Sequence, residues 1–147
     1  EGRLILADAL TYADEELPDL LIDMATLTGA ARVALGPDIA PFFATSDAFA
    51  ETLAAKGERL RDPVWRMPLF TGYEAKLKTG IADLTNAPSG GLAGAITAAL
   101  FLKQFVGRAK SWAHFDIYAY AQADRDFGPA GGEAQAIRAI FETIRKG

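Results

Sequence analysis

The run Leu20-Leu21-Ile22-Asp23-Met24-Ala25 is the feature that most limits what this chain can become. It lies between turn signals, with Pro18 ahead of it and Thr26-Leu27-Thr28-Gly29 behind. A short apolar segment with such borders reads as a strand buried on both faces, the kind found in parallel sheets covered by helices. Residues Leu4 to Tyr12 before it carry Leu4, Ile5, Ala7, Ala9 and Leu10 on helix-compatible spacings, and Asp14-Glu15-Glu16 and Pro18 end that helix. Ala30 to Leu35 after it is a small-residue helix closed by Gly36-Pro37.

The alternation continues. Ile39 to Thr45, with Phe42-Phe43-Ala44, reads as a strand, and Ser46 caps a helix that turns Phe49, Leu53 and Leu60 inward while Gly57 weakens its last turns. Pro63 to Pro68 is extended, Gly72 to Leu77 one short helix, and Gly80 to Gly91 a loop. A helix follows from Ala93 to Val106, with Ile96, Leu100, Phe101 and Phe105 inward. Trp112 to Tyr118 is a strand with Trp112, His114, Asp116 and Tyr118 on one side and Ala113, Phe115 and Ile117 on the other. Gly128 to Gly132 is a loop, and Glu133 opens a final helix whose buried stripe is Ile137, Ile140, Phe141 and Ile144. This order predicts an α/β fold: one domain, without internal repeat or linker, with a mostly parallel sheet and helices on both faces in three layers.

Composition removes several function classes. The 147 residues include no cysteine, which excludes disulfides and thiolate zinc sites. The formal charge is −4 with the basic residues scattered, so nothing favours nucleic acid. No apolar stretch approaches the roughly 20 residues that span a bilayer, and no secretory or transit segment is visible.

Ligands of open α/β sheets bind beyond the carboxyl ends of the strands. Two segments compete for that place: Glu1-Gly2-Arg3, a carboxylate and a guanidinium just ahead of a helix, and the turn Thr26 to Gly29, which brings hydroxyls and a glycine that lets a ligand approach the backbone. On local chemistry alone the turn is equally a capped strand-to-helix connection, and terminal charges are usually solvated. His114 reads as a buried, hydrogen-bonded core residue, and Asp23 and Asp116 as structural groups. With neither a leading Met nor a strand before Glu1, the chain reads as a piece of a longer protein, cut on its N-terminal side.

Ordered blocks along the chain carry a resemblance. Glu1-Gly2-Arg3-Leu4-Ile5-Leu6-Ala7-Asp8-Ala9-Leu10, Leu21-Ile22-Asp23-Met24-Ala25-Thr26-Leu27-Thr28-Gly29-Ala30, Trp65-Arg66-Met67-Pro68-Leu69, Ala82-Asp83-Leu84-Thr85-Asn86, Gly94-Ala95-Ile96-Thr97-Ala98-Ala99-Leu100-Phe101-Leu102 and Trp112-Ala113-His114-Phe115-Asp116 resemble successive blocks of the cytosolic leucyl aminopeptidase family. These are cytoplasmic two-metal enzymes that remove N-terminal residues from peptides. The resemblance implies that the chain is the C-terminal part of such a catalytic domain. Glu1 would be a ligand of a pair of Mn²⁺ or Zn²⁺ ions, and Arg3 a catalytic residue that holds bicarbonate. Thr26, Leu27 and Gly29 would line the substrate pocket, with the Leu27 carbonyl near the substrate amine or the attacking water, and Met24 and Tyr118 as further walls. The family often has a small Ala-Gly pair where this chain has Tyr118-Ala119, so the specificity pocket is expected to differ.

The remaining metal ligands of the family, a lysine and several aspartates, lie upstream, as does a second catalytic lysine; Lys76, Lys78 and Lys103 sit in the wrong blocks to replace them. The resemblance therefore implies a homohexameric metallo-aminopeptidase as parent and a chain that is inactive without the missing N-terminal part. The alternative is a non-enzymatic α/β binding or assembly module that kept the fold without the metal centre.

Overall fold

The computed structural model describes residues 2–126 and 128–145. Helix α1 (Gly2–Asp14) leads into β1 (Leu21–Ala25), followed by the short α2 (Arg32–Leu35), β2 (Ala40–Ala44), α3 (Asp47–Arg59) and β3 (Val64–Arg66). A 3₁₀ helix over Thr71–Leu77 precedes α4 (Gly94–Lys103), β4 (Trp112–Asp116), the two-residue strands β5 (Tyr120–Ala121) and β6 (Gly131–Gly132), and α5 (Ile137–Ile144). The main sheet runs β1-β4-β2-β3. β1 pairs parallel with β4, and β2 with β3, while β2 and β4 run antiparallel. The sheet is thus mixed but mostly parallel, as the alternating helices and strands led one to expect.

Both faces are covered, which makes three layers. On one face Phe42, Phe115, Ala40 and Ala113 pack with Ala50 and Leu53 of α3 and with Ala136 and Ala139 at α5. On the other, Trp112 packs with Ala7 and Leu10 of α1 and Leu100 to Leu102 of α4, while Phe43 meets Ala95 and Ala99. Helix α4 is apolar nearly all round and accordingly buried nearly all round. The expected alternation along β4 splits its side chains between these two cores. His114 is fully buried and stacked between Trp112 and Phe43, with Nδ1 2.5 Å from Asp23 Oδ1. The other Asp23 oxygen accepts the Trp112 indole N–H at 2.8 Å.

Two carboxylates fix the connections. Asp14 is buried at the end of α1 and accepts the backbone N–H groups of Gly107, Arg108 and Ala109, tying α1 to the turn after α4. Burial alone pushes the Asp14 carboxyl up, but the amides of Gly107, Ala109 and Arg108 together outweigh it and hold the group below its usual range. Asp62 is buried beside α5 and accepts N–H from Ala136, Arg138 and Ala139.

The chain's last segment departs from expectation. Glu133 does not open the final helix; Gly131–Gly132 instead pair with Tyr120–Ala121, and α5 starts at Ile137. Asp62, from a distant loop, supplies the cap that the local sequence lacks. Helix α5 is also rotated from the expected register. Ile137, Phe141 and Ile144 are all more than half exposed, whereas Ala136 and Ala139 are fully buried. Small residues let α5 approach α3 closely; of the expected stripe Ile140 packs against the core, while Ile137, Phe141 and Ile144 face outward. Strand β4 likewise stops at Asp116, because the Gln135 side chain takes the N–H groups of Tyr118 and Ala119, and Ala119 turns to a positive φ of 56°.

Gly57, read as a weak point of α3, is required there. A Cβ would stand 2.8 Å from the Asp62 carbonyl oxygen and 3.0 Å from a Val64 methyl.

Candidate functional site

Parallel pairing of β1 and β4 ends both strands at one edge, at Ala25 and Asp116. The Asp116 carboxylate turns onto the chain leaving β1. Oδ1 accepts the Leu27 N–H at 3.0 Å and the Thr28 N–H at 2.9 Å, and Oδ2 accepts the Thr28 hydroxyl. The Thr28 hydroxyl oxygen in turn accepts the Ala30 N–H at 3.3 Å. A buried anion therefore fixes the backbone of the Thr26–Gly29 turn, and its sequence reading as a structural group agrees with this geometry.

Arg3 stands in the first turn of α1, and its guanidinium donates to the Asn86 carbonyl oxygen. It lines two adjoining clefts. One, of about 460 Å³, also involves Thr28, Gly29, Asn86, Lys76 and Thr97. The other, of about 580 Å³, lies between α1 and the end of β1 and involves Thr26, Leu27 and Ile5. Arg3, Thr26, Leu27 and Gly29 are thus brought together around one guanidinium, beyond the carboxyl ends of β1 and β4. Gly94 is a close approach: a Cβ there would lie 3.2 Å from that of Ala30, so a larger residue would push α4 away from the turn.

Glu1, the metal-ligand candidate, lies outside the described residues. Among the described residues no group of three or more His, Cys, Asp or Glu side chains is placed to hold a metal ion. Met24 is 39% exposed but lines neither cleft, and Tyr118 lies beside Gly29 through Arg32, whose guanidinium covers its ring.

Residues 1–141 match the catalytic-domain model of the cytosol aminopeptidase family. The chain belongs to that family. It is 44% identical over 148 residues to the cytosol aminopeptidase of Encephalitozoon cuniculi, covering 99% of this chain and 30% of the relative. It is 47% identical over 147 residues to a probable cytosol aminopeptidase of Chloroherpeton thalassium, covering 99% and 29%. The crystal structure of cytosol aminopeptidase from Coxiella burnetii superposes with a TM-score of 0.90 at 52% identity, covering 97% of this chain and 31% of that one. The bottromycin maturation enzyme BotP in complex with Mn superposes at 0.89 and 39% identity, covering 98% and 33%. This cytosol aminopeptidase family chain therefore spans about a third or less of the proteins it matches.

Sequence reasoning passed over some of the cleft residues. Lys76 is no stand-in for the upstream lysines by its sequence block, and the 3₁₀ helix places it at the wall of the first cleft, with Nζ 4.7 Å from the Tyr73 ring centroid. Asn86 contributes a backbone carbonyl, which side-chain chemistry does not reveal. No periodicity links either residue to Arg3; only the tertiary path does.

Proposed function

We propose that this chain is the C-terminal part of the catalytic domain of a metal-dependent aminopeptidase that hydrolyses N-terminal residues from peptides. The observation that carries the reading is Arg3 standing between two clefts whose other walls include Thr26, Leu27 and Gly29. In this reading the Asp116-fixed turn binds and orients the N-terminal end of the peptide, with Thr26, Leu27 and Gly29 lining its pocket. Arg3 presents a planar fork of donors to a small oxyanion such as bicarbonate.

The described residues do not fit a complete two-metal centre. Glu1 adds one carboxylate, and a pair of divalent cations needs several anionic ligands to offset their mutual repulsion. The further ligands belong, on this reading, to another part of the same protein. When bound, Mn²⁺ or Zn²⁺ would supply Lewis acidity. The relative solved in complex with Mn supports manganese as the first ion to test. The family name supports a cytoplasmic homohexamer's first property only, its compartment; the assembly rests on the resemblance. Among the described residues no helix is long and apolar enough to cross a membrane.

The test is hydrolysis of leucine p-nitroanilide with added Mn²⁺ or Zn²⁺. The chain alone should show none, and a longer protein carrying the preceding part of a family member should turn it over until a chelator is added. Full turnover by the chain alone would overturn the assignment of missing ligands. No turnover by the longer protein would favour the non-enzymatic module.

A further inference from the structure

The cleft of about 460 Å³ has walls of one charge. Arg3 and Lys76 both line it, and among the described residues no Asp or Glu does. The chain as a whole carries a formal charge of −4, so this positive lining is local. Two carboxylates of the same region are directed elsewhere. Asp83 lines a separate cleft with Leu4 and Phe101, and both Asp116 oxygens are committed to Leu27 and Thr28.

Packed elements hold the second cation at this wall. Leu77, next to Lys76, is buried, and its carbonyl accepts the Thr85 N–H at 2.8 Å, which ties the 3₁₀ helix to the loop carrying Asn86. Tyr73 packs edge-on against Phe70 with ring centroids 4.9 Å apart, and the Lys76 ammonium stands over the Tyr73 ring. A ring face attracts the ammonium without neutralising it, so the charge stays available to an anion.

Thr28 and Gly29 of the turn form another wall of the same cleft, whose volume is in the range of small-molecule sites. A peptide that starts at the turn and runs into the cleft carries its next residues toward Lys76. In a short peptide those residues end in a carboxylate; in a long one they continue as neutral peptide bonds. With Arg3 holding the small oxyanion, Lys76 is the cation left for the far end of the peptide.

We infer that Lys76 is a specificity-determining residue that binds the C-terminal carboxylate of di- and tripeptides. The inference rests on the aminopeptidase reading only in placing the peptide's first residue at the Thr26–Gly29 turn.

Binding tests it without metal or turnover. Leucyl-glycine and leucyl-glycinamide, which differ only at the C-terminal group, are titrated into the ¹⁵N-labelled chain while the Thr28, Gly29 and Asn86 amides are followed. Leucyl-glycine should bind about threefold more tightly, the worth of one ion pair at an exposed site, and the difference should shrink at high salt. Leucyl-tetraglycine carries its carboxylate about 10 Å further along the chain and should bind like the amide. Lys76 is exposed, so its variants keep the fold: Lys76→Met should erase the preference, Lys76→Arg should keep it, and Lys76→Glu should reverse it. Equal binding of the first two probes, binding of neither, a preference that survives Lys76→Met, or leucyl-tetraglycine binding as tightly as leucyl-glycine overturns the inference. Inorganic phosphate moving the same amides as far as leucyl-glycine does would make the cleft a site for free oxyanions and overturn it too. Those failures leave the aminopeptidase reading standing, and an absence of hydrolysis leaves a positive binding result standing.

Discussion

Asp116 and Leu27 are 89 residues apart in the chain, and the carboxylate of one accepts the backbone N–H of the other at 3.0 Å. The same oxygen takes the Thr28 N–H, so the shape of the candidate substrate turn is set from the neighbouring strand rather than by the turn itself. Asp116→Ala strands two amides in a protected site and should cost on the order of 3 kcal/mol. Asp116→Asn keeps an oxygen for those amides and can donate to the Thr28 hydroxyl, so about 1 kcal/mol is expected. Urea unfolding of both variants distinguishes this from a purely electrostatic role, in which the two would lose the same amount.

Asp14 carries a pH dependence. Its folded carboxyl titrates below the reference value of 3.8, so its stabilisation is complete above that pH and is lost as pH falls through the lower folded value. Unfolding midpoints of the unmodified chain should therefore drop below about pH 4. Asp14→Asn should be less stable at neutral pH and should flatten that acid limb. An unchanged limb in the variant assigns the acid sensitivity to other groups.

Gly57→Ala tests the contact between α3 and the loop that carries Asp62. The added methyl meets backbone at 2.8 Å, and overpacking of this kind costs about 1–3 kcal/mol. The shift should reach the Asp62 carboxylate and weaken protection of the Ala136, Arg138 and Ala139 amides, which hydrogen exchange reads directly.

Along α5, the exposed and buried faces should respond oppositely. Phe141 is 57% exposed, so Phe141→Ser is expected to change stability by less than about 1 kcal/mol. Ala139 is fully buried, and Ala139→Leu should cost about 2 kcal/mol or more. The reverse ranking in thermal unfolding would restore the register expected from the sequence.

In a longer family protein with measurable hydrolysis, Arg3→Ala removes the fork proposed to hold bicarbonate and should lower kcat by about 10²–10⁴-fold, the usual contribution of positioned proton transfer. Among the described residues its hydrogen bond is to a backbone carbonyl at a partly buried site, which predicts a stability change within about 1 kcal/mol. Equal losses in stability and rate would make Arg3 structural.

Local signals made much of this fold readable. Ser46 caps α3 through the Phe49 N–H as its residue type suggests, and the apolar run at Leu21–Ala25 is the expected strand, though it lies at the sheet edge with only Asp23 buried and Met24 exposed rather than covered on both faces. The site was readable to the extent that Arg3 and the Thr26–Gly29 turn lie next to recognisable element boundaries. What escaped depends on partners far away in sequence. Nothing near Ile137 announces that Asp62 caps the helix there, and apolar periodicity cannot tell which side of the helix is inward when that side combines Ala136 and Ala139 with Ile140 alone of the larger residues expected there. Lys76 and the Asn86 carbonyl reach the cleft through an irregular path without a period to read.

The remote capping of α5 bears on the order of assembly. Three amides at the start of that helix wait for an acceptor that lies in the α3–β3 loop, so the segment gains little from coiling before the earlier layers exist. During synthesis or refolding it should therefore be the last piece to dock, and pulsed labelling should find its early amides slow to become shielded while those of α4 are already closed.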